Sequence, residues 1–251
     1  MRSLAGTFRA KWAIPILLVG TLVFLGFSPV LLEGLLKGLF PLEAQWLYPR
    51  ESPAVLLWEH LRLVAVSSFL AALAGSLLGI VATRRFGRPF LPAIEDLLSL
   101  GQTFPPVAVL ALAVPAVGFG FKPALLALFL YGMLPVARNA IDGLESVPEE
   151  VKDAARGIGM TPARVLRKVE LPLAMPVIMA GIRSSVVINV GTATIGATIG
   201  AGGLGVPIVA GLIGENPAYV LEGALLSALM AVVLDQGMAR LAPFAHREGQ
   251  A

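Results

Sequence analysis

Residues 143–176, GLESVPEEVKDAARGIGMTPARVLRKVELPLAMP, form the one long charge-rich stretch in a chain otherwise suited to lipid. Two short helices can be read in it. The first opens with Ser146 as N-cap, Pro148 in the first turn and Glu149 three residues on, a capping box. Val151, Ala154, Ala155 and Ile158 fall at i, i+3, i+4 and i+7 and so share a face. Gly157 and Gly159 then end the helix, because glycine accepts the left-handed turn that closes it. Thr161 and Pro162 start a second helix with Val165, Leu166 and Val169 on its face, which Pro172 is expected to stop. Two amphipathic rods joined by a glycine elbow make a compact knob, residues 146–172, whose apolar stripe needs a groove to sit in.

The surrounding composition says where such a knob is anchored. The chain is 57% hydrophobic and 14% charged, against roughly 25% charge in soluble domains, so it reads as an all-α integral membrane protein. It has no cysteine, which excludes disulfides and thiol chemistry. His60 and His246 lack metal-ligand spacing, so no metal site is expected. No G-x4-G-K-[ST] occurs, and the glycine run 200–205 lacks the Lys-Ser/Thr of a phosphate loop. Nothing in the chain binds ATP in the usual way, and no cofactor is expected in it.

Working outward from the knob gives six spans. Residues 12–32 form the first, uncleaved, after Arg2, Arg9 and Lys11; a mixed-charge outer loop, 33–53, follows with Trp46 and Tyr48. The next spans are 63–83, 97–121, 123–141, 177–200 and 219–239, with Val206–Gly214 as a short outer or re-entrant helix. Pro105 and Pro106 predict a kink in the third. Of the 19 Lys and Arg, all but Lys37, Arg50, Arg62 and Lys122 fall on the knob's side, so the positive-inside rule puts the knob and both termini in the cytoplasm. Glu222 and Asp235 are expected near the outer and inner ends of the last span.

The knob resembles the cytoplasmic loop of ABC-importer permeases, E-A-A-x3-G-x9-I-x-L-P. It has Asp153-Ala154-Ala155, Gly159, Val169 and Leu171-Pro172 at that spacing, with Asp for Glu and Val for Ile. Segments 60–84, 100–144 and 192–205 are similar to permeases that import glycine betaine, choline, carnitine and related osmoprotectants. The resemblance implies a type I ABC-importer permease in the cytoplasmic membrane, with residues 1–54 as N-terminal span and loop, 55–240 as the permease domain and 241–251 as a cytoplasmic tail. It further implies separate ATPase subunits that bind ATP and magnesium and dock on this loop, a separate binding protein, and a second permease copy, identical or paralogous.

Gln102, Thr103, Asn189, Thr192 and Thr194 are polar groups at membrane depth, either lining a translocation path or joining helices by hydrogen bonds. Gly196 and Gly200 serve equally as close packing or as a gate hinge. An amino acid or other small solute is the alternative cargo. A secondary transporter would want an inverted repeat and paired intramembrane charges, and an intramembrane enzyme a catalytic pair around His60 or Asp235; none of these patterns is clear in the chain.

Overall fold

The computed structural model describes residues 17–241. Arg2, Arg9, Lys11, the first residues of the expected first span and the tail from residue 242 lie outside it. All regular structure among the described residues is helical.

The first span is broken. Helix α1 (Leu17–Phe27) and α2 (Pro29–Leu39) meet at 89°. Pro29 has no N–H to donate, and its ring drives Ser28 out of the helical region, to φ −116° and ψ 77°. The expected outer loop therefore begins only after α2, whose buried Leu32 and Leu36 lie against α11 (Pro217–Leu241). In that shorter loop, Trp46 donates to the Phe40 carbonyl at 2.9 Å and lies under the Lys37 ammonium.

Helix α3 (Pro53–Thr83) starts ten residues before the expected 63. Ser52 caps it by accepting from Val55 N, and Pro53 occupies the first turn, where no N–H is needed. The third span is also two helices, α4 (Leu91–Thr103) and α5 (Pro106–Val117), set at 96° by Pro105 and Pro106. The expected kink is thus a right-angle break. Then come α6 (Phe121–Glu145), α7 (Glu149–Gly157), α8 (Pro162–Val165), α9 (Leu171–Gly196), α10 (Gly205–Ile213) and α11. Among the described residues, four helices are long and apolar enough to cross a membrane, or up to six counting each bent pair as one span.

Pro172 does not stop the second knob helix. The chain runs from Pro162 to Ile199 as one 38-residue rod. Residues Leu166–Glu170 form a π turn, whose bonds reach five residues back, so the shifted register absorbs the N–H that Pro172 lacks. The rod joins the knob to the centre of the bundle without a joint.

That centre is α6, which packs along α3 on one side and α9 on the other, the two most extensive helix pairings among the described residues. They approach over small residues: Gly75 and Gly79 of α3 face Val136 and Ala140, Gly132 faces Ser185 and Asn189, and Gly181 faces Asn139. A Cβ on Gly79 would stand 2.4 Å from that of Ala140. Gly79→Val is therefore expected to lower stability by about 1–3 kcal/mol, read as a lower thermal midpoint of the detergent-purified chain; an unchanged midpoint would contradict this packing.

Candidate coupling site and polar groups at membrane depth

Helix α7 starts two residues later than the capping box implies. Ser146 has helical φ and ψ of −69° and −13°, and its hydroxyl donates to the Gly143 carbonyl at 2.7 Å, so it belongs to the end of α6. Pro148, at ψ 137°, is the N-cap. Glu149 is held by Lys152 and Arg156 instead, each at 2.8 Å. These bonds, Lys152's first, keep its carboxyl below the usual carboxylate range. Asp153 pairs with Arg156 at 2.7 Å on the same exposed helix, a contact worth at most about 1 kcal/mol.

The four apolar residues expected on one face are divided. Ala155 is buried where α7 meets α8 and the π turn, while Val151, Ala154 and Ile158 face outward. Ile158 is 76% exposed. Gly159 closes the helix at φ +83°, with Gly159 N bonded to Arg156 O and Met160 N to Ala155 O, the Schellman pattern. Val169 and Leu171 are half-buried and Pro172 is exposed. The knob thus presents an outward apolar stripe bounded by a left-handed glycine.

Its root is ionic. Arg84, at the end of α3, donates to Glu170 in the π turn at 2.5 Å, and Glu170 is buried. Sequence reading missed this pair. In an α-helix Glu170 points away from Val165, but a turn closed five residues apart stacks the two on one face. Beside the pair, a cavity of about 310 Å³ opens between α3, the α6–α7 turn and α7, lined by Arg84, Arg88, Glu145, Glu149, Lys152 and Arg156.

The five polar residues expected at membrane depth sit on separate elements. Asn189 is fully buried and donates to Ser68 Oγ at 3.0 Å and Ser67 Oγ at 3.4 Å, joining α9 to α3. Thr192 is buried beside it in sequence. Thr194 is half-exposed and donates to the Gly191 carbonyl. Gln102 and Thr103 are exposed at the α4–α5 break, with Thr103 donating to Leu100 O.

At the end opposite the knob, Glu222 is not at a wet edge: it is fully buried in α11 and accepts from Tyr48 N at 2.8 Å. The outer loop folds over α11 and supplies that N–H. Glu59 accepts from Gly203 N at 2.9 Å, and Gly203, at φ +77°, lies against the buried His60 ring. His60 Nε2 donates to Val190 O at 3.0 Å. The glycine run is a strap across the head of α3, and because α3 begins at Pro53, Glu59 and His60 lie within the helix and outside the expected span 63–83.

Residues 75–247 match a family model described as a binding-protein-dependent transport system inner membrane component. The chain is 41% identical over 225 residues to the osmoprotectant import permease protein OsmY of Salmonella typhimurium, covering 87% of this chain and 95% of that one. It is 41% identical over 182 residues to the choline transport system permease protein OpuBB of Bacillus subtilis, covering 72% and 83%. It is also 42% identical over 173 residues to the ergothioneine transport permease/ergothioneine binding protein EgtU of Helicobacter pylori, covering 68% of this chain and 31% of that one. Among solved structures, a chain of the MetNI methionine ABC transporter in an inward facing conformation superposes with a TM-score of 0.69 at 23% identity, covering 76% and 94%. That likeness establishes the fold, the one adopted by type I ABC-importer permeases.

Proposed function

Since the chain belongs to the family of binding-protein-dependent transport system inner membrane components, we propose that it is the permease half of an ATP-driven importer of a small osmoprotectant of the glycine betaine, choline or carnitine type. The observation that carries this is the knob: an exposed Val151–Ala154–Ile158 stripe at the tip of an unbroken 38-residue rod that enters the bundle core. Separate ATPase subunits, which hold ATP and magnesium, receive that stripe in a groove. Asp153, Ala154, Ala155, Gly159, Val169, Leu171 and Pro172 shape the docking element. A rod of that length spans about 57 Å at 1.5 Å per residue, so displacement at α8 is carried to Asn189 along one continuous helix.

The osmoprotectant and choline importers among the relatives support the cargo. The fused permease and binding protein of Helicobacter pylori supports a binding-protein partner, which selects the solute and delivers it to a low-affinity path between two permease copies. The knob end carries Arg84, Arg85, Arg88, Arg164, Arg167 and Lys168, which supports a cytoplasmic knob on a chain held in the inner membrane. Gln102, Thr103 and the half-exposed Thr194 are the polar candidates for the path; behind it Asn189 joins α9 to α3, with Thr192 buried one turn on.

ATP hydrolysis by the purified complex, measured with betaine, choline, carnitine and proline, tests the cargo. Stimulation by one or more of the onium compounds is expected. Stimulation by proline alone would replace the osmoprotectant reading with an amino-acid importer, and no coupling to any solute would sink both.

A further inference from the structure

Between Leu171 and Gly196 the only charged residue is Arg183. Its Nε donates to Oδ1 of Asp235 on α11 and its Nη2 to Oδ2, the latter at 2.6 Å, a two-pronged pair. Two residues earlier, Gly181 rests on Pro135 and Asn139 of α6, and that part of α6 faces Gly75 and Gly79 of α3. Counting along α3 to Arg84 puts the pair roughly 10 Å inside the arginine-rich end. The pair is not sealed in the bundle, with side-chain exposures of 40% for Arg183 and 26% for Asp235. Asp235 is too short to snorkel, and its bonds hold the guanidinium at that depth, so this face meets water or protein rather than hydrocarbon.

The neighbouring surface is mixed. Outward positions on α3 are Phe69, Leu70, Leu73, Leu77 and Val81, a lipid face. Outward positions on α9 beyond Arg183 are Ser184, Val187, Ile188 and Gly191, with Thr194 half-exposed, so small and hydroxyl side chains alternate there with two apolar ones. We propose that the Arg183–Asp235 pair lines the solute path and is a subsite for zwitterions, the carboxylate of the solute engaging Arg183 and its quaternary ammonium facing Asp235. This rests on the osmoprotectant reading above. A zwitterion brings one opposite charge to each partner, so the closed pair opens without stranding a charge in a low-dielectric wall. A simple cation such as choline satisfies Asp235 alone and leaves Arg183 unpaired, which makes the pair a discriminator.

The test is uptake of glycine betaine and choline by the complete complex in liposomes. Arg183→Gln is expected to lower the betaine-to-choline uptake ratio at least about tenfold, the scale of one lost charge-assisted contact, with Arg183→Lys retaining part of it. Because the chain has no cysteine, Ser184→Cys gives a single thiol, expected to react with a water-soluble reagent during turnover and to be protected by glycine betaine. An equal fall for both solutes, restored equally by the reversed pair Arg183→Asp/Asp235→Arg, would make the pair a structural bridge and overturn the proposal. So would an unreactive Ser184→Cys, or a wild-type complex that carries choline and no zwitterion. A wild-type complex that carries neither overturns the osmoprotectant reading instead.

Discussion

A Gly159→Val variant is expected to insert and assemble normally yet lose at least about tenfold in solute-stimulated ATP hydrolysis and uptake. Gly159 sits at φ +83° with no atom within 4 Å of where a Cβ would be, so a substitution there meets backbone strain and no clash. The left-handed region costs a non-glycine residue roughly 1–2 kcal/mol, more for a β-branched one, which shifts a two-state population by a factor of about 5–30. What shifts is the angle between α7 and the rod. The Gly159 N to Arg156 O and Met160 N to Ala155 O bonds fix that angle, and with it the direction of the Val151–Ile158 stripe. Gly157 gives the control: its φ is not positive and its surroundings are open, so Gly157→Ala is expected to leave coupling intact. Normal coupling in Gly159→Val would detach the knob from the ATPase and remove the main support for the proposed energy path.

The same residues show what a linear reading could and could not see. Gly159 was legible because a left-handed C-cap needs glycine whatever surrounds it, and Pro105–Pro106 because two missing N–H groups break any helix. The angles were not legible: a proline says where a span breaks, while the 89° and 96° turns depend on what each half packs against. Ser146 and Pro172 misled for a common reason. Each carries a local signal, cap or stop, that a neighbour overrides; the Gly143 carbonyl takes the Ser146 hydroxyl, and the π turn supplies Pro172 with a register needing no N–H. Glu222 escaped because its partner, Tyr48 N, lies 174 residues away and is a backbone group that leaves no pattern in composition. Of the site, the knob's motif and its exposed stripe could be read; the ion pairs Arg84–Glu170 and Arg183–Asp235, which link distant helices, could not.

Arg84→Ala is expected to be the most destabilising single change at the knob. Glu170 is 5% exposed at its side chain and Arg84 is its ion-pair partner, so truncating Arg84 leaves a buried carboxylate without that partner. Removing one member of a buried pair costs about 3–5 kcal/mol, and since Arg84 is about one-third exposed the lower end applies. The π turn is the element that pays in geometry: without Arg84, Glu170 gains by swinging toward solvent, which favours an ordinary helical register and forces a bend at Pro172. The knob then tilts relative to α9, and coupling falls together with the thermal midpoint. Glu170→Gln, which keeps the shape and an acceptor for Arg84, is expected to lose less than Arg84→Ala. The double variant Arg84→Met/Glu170→Leu, with both charges gone and the volume filled, is expected to recover most of the midpoint, because replacing both members by apolar groups removes the stranded charge. Recovery of uptake in that double variant would mean that the pair serves only to hold the turn. A restored midpoint with uptake still lost would mean that the α3 end must be held ionically to the π turn for the knob's motion to reach the bundle. An Arg84→Ala chain as stable and as active as the wild type would show that the π turn stands without this bond.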